Sequence, residues 1–233
     1  MNEKITQLDW PALTESLNSN GYAIASKILD DVQCAQLISQ YRDDARYRKT
    51  VVMARHNYGL GEYKYFNYPL PPVVQSLRER IYPNLAPVAN NWMRVLNIGV
   101  NYPANFEDFI ANCHAQGQNR PTPLILQYSK GGYNALHQDL YGDIYFPLQA
   151  VVFLSEPGVD YEGGEFVLIE QRPRAQSRAI VLKPKKGDML IFTTNFRPVQ
   201  GTKGYYRVNM KHGVSELAVG NRYTLGIIFH DAA

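Results

Sequence analysis

The sequence predicts an α+β protein in which N-terminal helices pack against a double-stranded β-helix, a jelly roll of two antiparallel sheets. Two observations predict this fold class. Apolar residues recur at spacings of three and four in several segments of the first 115 residues, as they do on one face of a helix. From residue 122 the period changes, and eight short β-rich runs follow with turn residues between them. These runs are LILQYS, LHQDLY, FPLQAVVFLSE, GEFVLIEQ, RAIVLKP, DMLIFTT, YYRVNMKHGVSEL and RYTLGIIFHDA.

Four helical segments are predicted in the N-terminal part, at about residues 10–19, 31–45, 71–97 and 105–114. Asp31 is the predicted cap of the second helix. Pro83 and Pro87 are expected to kink or divide the third, because proline lacks the N–H group that the helix needs. We expect one domain over residues 1–233, in which a helical part at about 1–115 supports a jelly-roll core at about 120–233.

The composition is that of an ordinary globular protein. Hydrophobic residues make up 45% and charged residues 19% of the chain, and the formal net charge is +3. This charge does not by itself indicate nucleic-acid binding, although it permits a local basic patch. Cys34 and Cys113 are interpreted as reduced core residues, which favours a cytoplasmic location. We expect neither a signal peptide nor a membrane-spanning segment.

The first candidate site lies in the run NALHQDLYGD, where His137 and Asp139 stand two residues apart. Alternate residues of a strand point to the same side, so both side chains can reach one ion. The pair alone is weak evidence, because His-x-Asp also arises by chance. His212, in another strand-like run, is the predicted third ligand. Two imidazoles and one carboxylate are typical of non-haem Fe(II) oxygenases, whereas catalytic zinc usually takes three ligands and a water.

Arg222 follows His212 by ten residues and begins the last strand-like run. Pointing inward, its guanidinium would require an anionic partner, and its forked geometry suits a carboxylate. The alternative is a surface arginine at the start of a strand. The sequence alone leaves these two interpretations open.

The combination of His-x-Asp, a distant His and an Arg on eight strands resembles the Fe(II)/2-oxoglutarate-dependent dioxygenases. The resemblance covers about residues 120–233, and LQYSKGGYNALHQD, GGEFVL and KKGDMLIF resemble segments of prolyl-4-hydroxylase-type members. It implies that His137, Asp139 and His212 bind Fe(II) and that Arg222 binds the distal carboxylate of 2-oxoglutarate. By the same resemblance Tyr128 assists that carboxylate, with a core tyrosine as the alternative. Gln149 is a further candidate for contact with the cosubstrate.

The N-terminal half resembles a bacterial group of these oxygenases that is described as acting on damaged nucleic acid. The segments that carry this resemblance are MARHNYGLGEYKYFNYPLP, LRERIYPNLAPVANNW and GNRYTLGIIFHDA. Alkylated-base demethylases carry a second arginine six residues after the carboxylate-binding one. In this sequence the position six residues after Arg222 is Ile228, so the chain departs from their pattern. Within residues 48–70, Arg55, Tyr63 and Lys64 are the candidate substrate contacts, although the segment could equally pack against the barrel.

Three functions remain in competition. The first is a dioxygenase that couples decarboxylation of 2-oxoglutarate to succinate with hydroxylation of a substrate C–H bond, as in prolyl hydroxylases. The second uses the same iron chemistry to demethylate alkylated nucleic acid. The third is a cupin-like metal protein without oxygenase activity. Under the first two of these hypotheses, 2-oxoglutarate and O₂ are partners of the enzyme. The sequence does not identify the primary substrate.

Overall fold

The computed structural model describes residues 2–139 and 142–233 of the chain. The helices in these ranges are α1 (Asn2–Thr6), α2 (Trp10–Asn20), α3 (Asp31–Gln40), α4 (Pro72–Val95) and α5 (Phe106–Ala115). The strands are β1 (Tyr22–Ala25), β2 (Tyr47–Val52), β3 (Gly59–Leu60), β4 (Glu62–Phe66), β5 (Leu124–Ser129), β6 (Tyr133–His137), β7 (Leu148–Phe153), β8 (Tyr161–Gly163), β9 (Phe166–Gln171), β10 (Arg178–Leu182), β11 (Met189–Thr193), β12 (Phe196–Gly201), β13 (Gly204–Val214) and β14 (Leu217–Ile227).

Two antiparallel sheets form the core. The major sheet has the strand order β1-β11-β7-β14-β5-β4-β2, and β8 pairs with β14. The minor sheet has the order β10-β9-β13-β6-β3, and β12 pairs with β13. Apolar side chains of both sheets fill the space between them, among them Phe153 and Leu190 from one sheet and Leu168 and Met210 from the other. The predicted jelly roll with N-terminal helices is therefore confirmed.

The helices cover the outer face of the major sheet, and β7 shows how. Leu148, Ala150 and Val152 belong to the same buried cluster as side chains of α2, α3, α4 and α5. Val151 and Phe153 alternate with them and belong to the cluster between the sheets. This strand is buried on both faces, so its polar residue, Gln149, must lie inside the protein whichever way it points.

Several predicted boundaries differ in the structure. Asp30, not Asp31, caps α3. Its carboxylate accepts a hydrogen bond from the Gln33 backbone N–H, and the Gln33 side chain accepts one from the Asp30 backbone N–H. Pro83 and Pro87 do not divide α4, which stays one helix of 24 residues because its buried apolar face packs along its whole length. The run LHQDLY corresponds to β6, which begins earlier, and its residues 140 and 141 lie outside the described residues.

A buried ion pair fastens the end of the chain to the helices. Arg78 of α4 donates to Asp231 Oδ1 at 2.8 Å and to the Phe229 carbonyl at 2.7 Å. Tyr68 and His114 contact the other oxygen, Asp231 Oδ2, at 2.8 and 2.9 Å. Every oxygen of the buried carboxylate thus has a partner, which is the condition under which a buried pair is tolerated.

No helix in the described part of the chain is both long and apolar enough to cross a membrane. Cys34 and Cys113 are buried and unpaired, as the sequence predicts. Burial raises the pKa of Cys34 to about 11 and also raises that of Cys113, so neither thiol is reactive at neutral pH.

His230 makes the stability of the fold dependent on pH. Its ring is buried, its Nδ1 accepts from the Phe146 backbone N–H at 3.2 Å, and burial lowers its pKa to about 4. The unfolded chain binds a proton near pH 6.5, so between about pH 6.5 and 4 the unfolded state carries more protons than the fold. The contribution of His230 to the free energy of unfolding is therefore fully present above this window and is lost as the pH drops through it.

We expect the free energy of unfolding to lose about 2 kcal/mol between pH 7 and pH 5 through His230. In His230→Asn, whose amide oxygen can accept the same hydrogen bond, this part of the loss should be absent. Urea unfolding at both pH values measures it, with the exposed His56→Asn as the control. Equal pH dependence in wild type and His230→Asn would contradict the prediction.

Candidate active site

Cross-strand pairing brings the predicted ligands together. His137 ends β6 and stands directly opposite His212 of β13, with ring centroids 4.2 Å apart. Asp139 follows β6 by two residues, and its backbone N–H donates to the Thr194 carbonyl at 3.3 Å. Its Oδ1 lies 3.4 Å from His137 Nε2 and its Oδ2 lies 3.3 Å from His212 Nε2. Residues that are 75 positions apart in the chain thus share one small site.

One donor atom from each of His137, Asp139 and His212 lies within 4.8 Å of the others. Within the described ranges this is the one group of His, Cys, Asp or Glu side chains that is close enough to hold a metal ion. Two imidazole nitrogens and a carboxylate oxygen are the donor set that suits a divalent iron with open coordination positions. The residues present therefore fit the metal that the sequence predicts.

The charges of Asp139 and His212 are suited to binding a cation. Burial alone would raise the pKa of Asp139, but His212 and His137 beside it hold the pKa well below its usual range. Burial lowers the pKa of His212, which keeps this ring neutral at neutral pH. For His137, burial acts in the same direction but is outweighed by the Asp139 carboxylate, so the pKa is raised. An ionised carboxylate and a neutral imidazole are the forms that bind metal.

The cluster opens into a cavity of about 270 Å³ between the two sheets. Along β14 the cavity wall runs from Arg222 through Thr224 and Gly226, and Ile228 follows just beyond the strand. Strands β4 and β5 contribute Tyr63, Tyr65, Leu124, Leu126 and Tyr128. The volume is near the lower end for small-molecule sites, about 300 Å³. The cavity therefore has room for a small cosubstrate and a limited part of a substrate.

Arg222 lies at this cavity and is 1% exposed, so the alternative of a surface arginine is wrong. Its guanidinium carbon is 5.5 Å from the ring centre of Tyr128 and 5.3 Å from that of Phe153. Two other buried arginines, Arg78 and Arg197, pair with carboxylates at 2.8 and 2.6 Å.

No carboxylate in the described part of the chain pairs with Arg222 in this way, and its Nε has no hydrogen-bond partner there. A buried guanidinium without a carboxylate calls for an anionic ligand, and the forked donor geometry suits a carboxylate such as that of 2-oxoglutarate.

Tyr128 stands opposite Arg222 across the β5–β14 pair and also lines the cavity. Its hydroxyl is buried without a hydrogen-bond partner in the described residues. Burial raises its pKa to about 12, against the opposing effect of Arg222, so the hydroxyl stays a neutral donor. Gly164, within the predicted turn GGEFVL, has φ +62° and passes close to this group. A Cβ there would meet Leu217 and come within 3.1 Å of Arg222 Cδ, so glycine leaves the room that the arginine occupies.

The predicted substrate contacts divide into two groups. Tyr63 lines the cavity, and so does Tyr65, two residues further along the same segment. Lys64 points the other way: its Nζ pairs with Asp44 Oδ1 at 2.6 Å and donates to the Tyr41 carbonyl at 3.2 Å. Alternation along β4 explains this, because residues 63 and 65 share one face and residue 64 the other.

Arg55 lies on an exposed turn and does not line the cavity, so the structure does not bring it to the site. Gln149 does line the cavity, but its amide contacts a predicted metal ligand. Its Nε2 donates to Asp139 Oδ2 at 2.8 Å. This contact was not anticipated from the sequence.

Comparison with solved structures supports the fold. A prolyl-4-hydroxylase from Pseudomonas putida aligns over 96% of this chain and 100% of its own, with a TM-score of 0.57 and 13% identity. An oxidoreductase of the 2OG-Fe(II) oxygenase family from Burkholderia pseudomallei aligns over 97% and 94% of the two chains, with a TM-score of 0.55 and 13% identity. At such identities the likeness concerns the fold.

Sequence comparison gives closer relatives and a family. Two curated Mycobacterium tuberculosis proteins, the uncharacterized proteins MT2286 and Rv2227, are each 48% identical over 168 residues, 72% of this chain and of each relative. The Oxygenase-NA family model, described as "Oxygenase, catalysing oxidative methylation of damaged DNA", matches residues 61–232, about three quarters of the chain and all of the cavity strands. The chain shares its fold with solved 2OG-Fe(II) oxygenases, and it belongs to the Oxygenase-NA family, whose members are oxygenases and therefore oxidoreductases.

Proposed function

We propose that the protein couples the decarboxylation of 2-oxoglutarate to hydroxylation of a C–H bond in a substrate that enters between the tyrosines of β4 and the metal cluster. One observation carries this proposal. The cavity that holds His137, Asp139 and His212 also holds Arg222, which is buried and lacks a carboxylate partner in the described residues. A metal site and an anion site within one small cavity are what the cosubstrate requires.

His137, Asp139 and His212 would hold the Fe(II) ion, which when bound supplies the oxygen activation that no side chain provides. Because the protein would supply only three donors, the ion would keep further coordination positions for the cosubstrates. The overall reaction converts 2-oxoglutarate, O₂ and R–H into succinate, CO₂ and R–OH. The protein's part is to orient the reactants and to keep water out of the cavity.

Arg222 would bind the distal carboxylate of 2-oxoglutarate through two parallel hydrogen bonds. Tyr128, whose neutral hydroxyl lacks an acceptor among the described residues, would donate to the same cosubstrate. The aromatic rings of Tyr128, Phe153 and Tyr161 surround the guanidinium and exclude water from it. Low polarity around the pair strengthens its electrostatic attraction.

We propose an alkylated nucleic-acid strand as the substrate, on two grounds. The family description names damaged DNA, and two tyrosines that line the cavity offer flat rings, one of them beside a cation. Tyr63 and Tyr65 meet edge to face at 5.4 Å, and the Arg48 guanidinium lies 4.5 Å above the Tyr65 ring. Base stacking on such rings contributes about 1–3 kcal/mol per base, and damaged bases are the easiest to extrude from a strand.

We also propose that the protein works in the cytoplasm, where free thiols stay reduced. The two buried, unpaired cysteines are in keeping with that location. Fractionation of the native host cells tests this proposal.

His137→Ala should abolish succinate formation in the presence of Fe(II) and 2-oxoglutarate. The variant loses one of three metal donors, so both metal binding and turnover should fall to background. Labelled 2-oxoglutarate measures the turnover, and His114→Gln, which alters an imidazole outside the cavity, is the control. Retained turnover in His137→Ala would contradict the role of His137 as a metal ligand. A wild type that binds Fe(II) but never consumes 2-oxoglutarate would instead indicate a metal protein without oxygenase activity.

Arg222→Gln should raise the KM for 2-oxoglutarate about 30-fold or more, since loss of a buried, hydrogen-bonded charge costs about 2 kcal/mol or more. The value of kcat at saturation should change less, because Arg222 lies away from the reacting C–H bond. Arg222→Lys should be intermediate, as it keeps the charge but loses the fork. Arg197→Lys, at another buried arginine, is the matched control. An unchanged KM in Arg222→Gln would contradict the assigned role.

Methylated single-stranded oligonucleotides should raise succinate formation above the substrate-free background, and their binding should weaken steeply with salt. Tyr63→Ala should weaken this binding about 10-fold while leaving 2-oxoglutarate binding unchanged. Tyr205→Ala, at an exposed tyrosine outside the cavity, is the control. Stimulation by proline-containing peptides and not by oligonucleotides would show a peptide substrate and overturn the nucleic-acid proposal.

A further inference from the structure

Gln149 is a buried polar residue that the proposed chemistry leaves unused. It is the one polar side chain of β7, whose sequence is LQAVVF and whose six residues are all buried. A buried amide is unfavourable unless its hydrogen-bonding groups are satisfied. Gln149 Oε1 is buried and has no donor among the described residues. Burying this amide therefore costs stability, and the apolar packing of β7 gives no reason for a polar residue at this position.

The amide nitrogen of Gln149 contacts the metal cluster directly. It donates to Asp139 Oδ2 at 2.8 Å and lies 3.5 Å from His212 Nε2. The opposite orientation of the amide would set its oxygen against the ionised Asp139 carboxylate, which is repulsive, so donation from nitrogen is the favoured arrangement. Since Oε1 has no partner among the described residues, the contacts of the nitrogen, above all the one with the carboxylate, determine how this amide is oriented.

We propose that Gln149 is a positioning residue that fixes the Asp139 carboxylate for metal binding. This inference rests on the proposed function, because it assumes that Asp139 binds the ion. The hydrogen bond stops rotation of the carboxylate and occupies a lone pair of Oδ2. It thereby favours binding of the ion through one oxygen and keeps the remaining positions open for 2-oxoglutarate. Partners of this kind typically change metal affinity by about 10- to 100-fold.

Co(II) binding tests the proposal, because the visible absorption of Co(II) responds to its coordination. Gln149→Leu and Gln149→Met fill the same space without a donor, and apolar residues suit this apolar strand. The metal-free variants should unfold at the same temperature as the wild type or higher. Their Co(II) affinity should nevertheless fall about 10- to 100-fold, with an altered absorption spectrum. A residue that only supports the fold would instead lower the unfolding temperature.

Gln127→Leu is the matched control, since Gln127 lies on β5, in the same sheet but separated from β7 by β14, and does not line the cavity. It should leave Co(II) affinity and spectrum unchanged. Wild-type affinity and spectrum in both Gln149 variants would overturn the proposal. Failure of the wild type itself to bind Co(II) would instead refute the metal site and the proposed function, so the two failures are distinguishable.

Discussion

The pairing of β13 with β6 is the interaction on which the site depends. It sets His212 opposite His137 and leaves Asp139 just past the end of its strand, with an oxygen close to each imidazole. A register shift of one residue would turn one histidine to the other face of the minor sheet and separate the donors. The pair also has hydrogen-bonded neighbours on both sides, since β9 and β12 flank β13 and β3 flanks β6. The register is therefore held by the sheet as a whole.

Three buried arginines show how the same side chain serves two purposes. Arg78 and Arg197 each pair with a buried carboxylate, and their charges are balanced within the protein. Arg222 is buried to the same degree among aromatic rings, and no such carboxylate is found in the described residues. The first two hold elements of the fold together, whereas the third is balanced only when an anion enters the cavity. The degree of burial is similar for all three arginines, so it is the presence or absence of a carboxylate partner that distinguishes the two roles.

Much of the site could be predicted because its residues follow simple periodicities. The His-x-Asp spacing, the strand-like run around His212 and the arginine ten residues later were enough to predict the cluster and a buried arginine at the same cavity. The errors arose where a period was not recognised. Residues 48–70 show no clean period in the sequence, so the prediction groups Lys64 with Tyr63, although alternation on β4 turns the two side chains to opposite faces. The contact between Gln149 and Asp139 depends on which strands are adjacent, and a single sequence does not specify that adjacency.

The order of the donors along the chain has a consequence for synthesis in the cell. Ribosomes make His137 and Asp139 first, while His212 and Arg222 belong to the last two strands. A nascent chain cannot complete the triad until residue 212 has been translated and β13 has paired with β6. Before that point the growing polypeptide offers an ion at most two of the three donors.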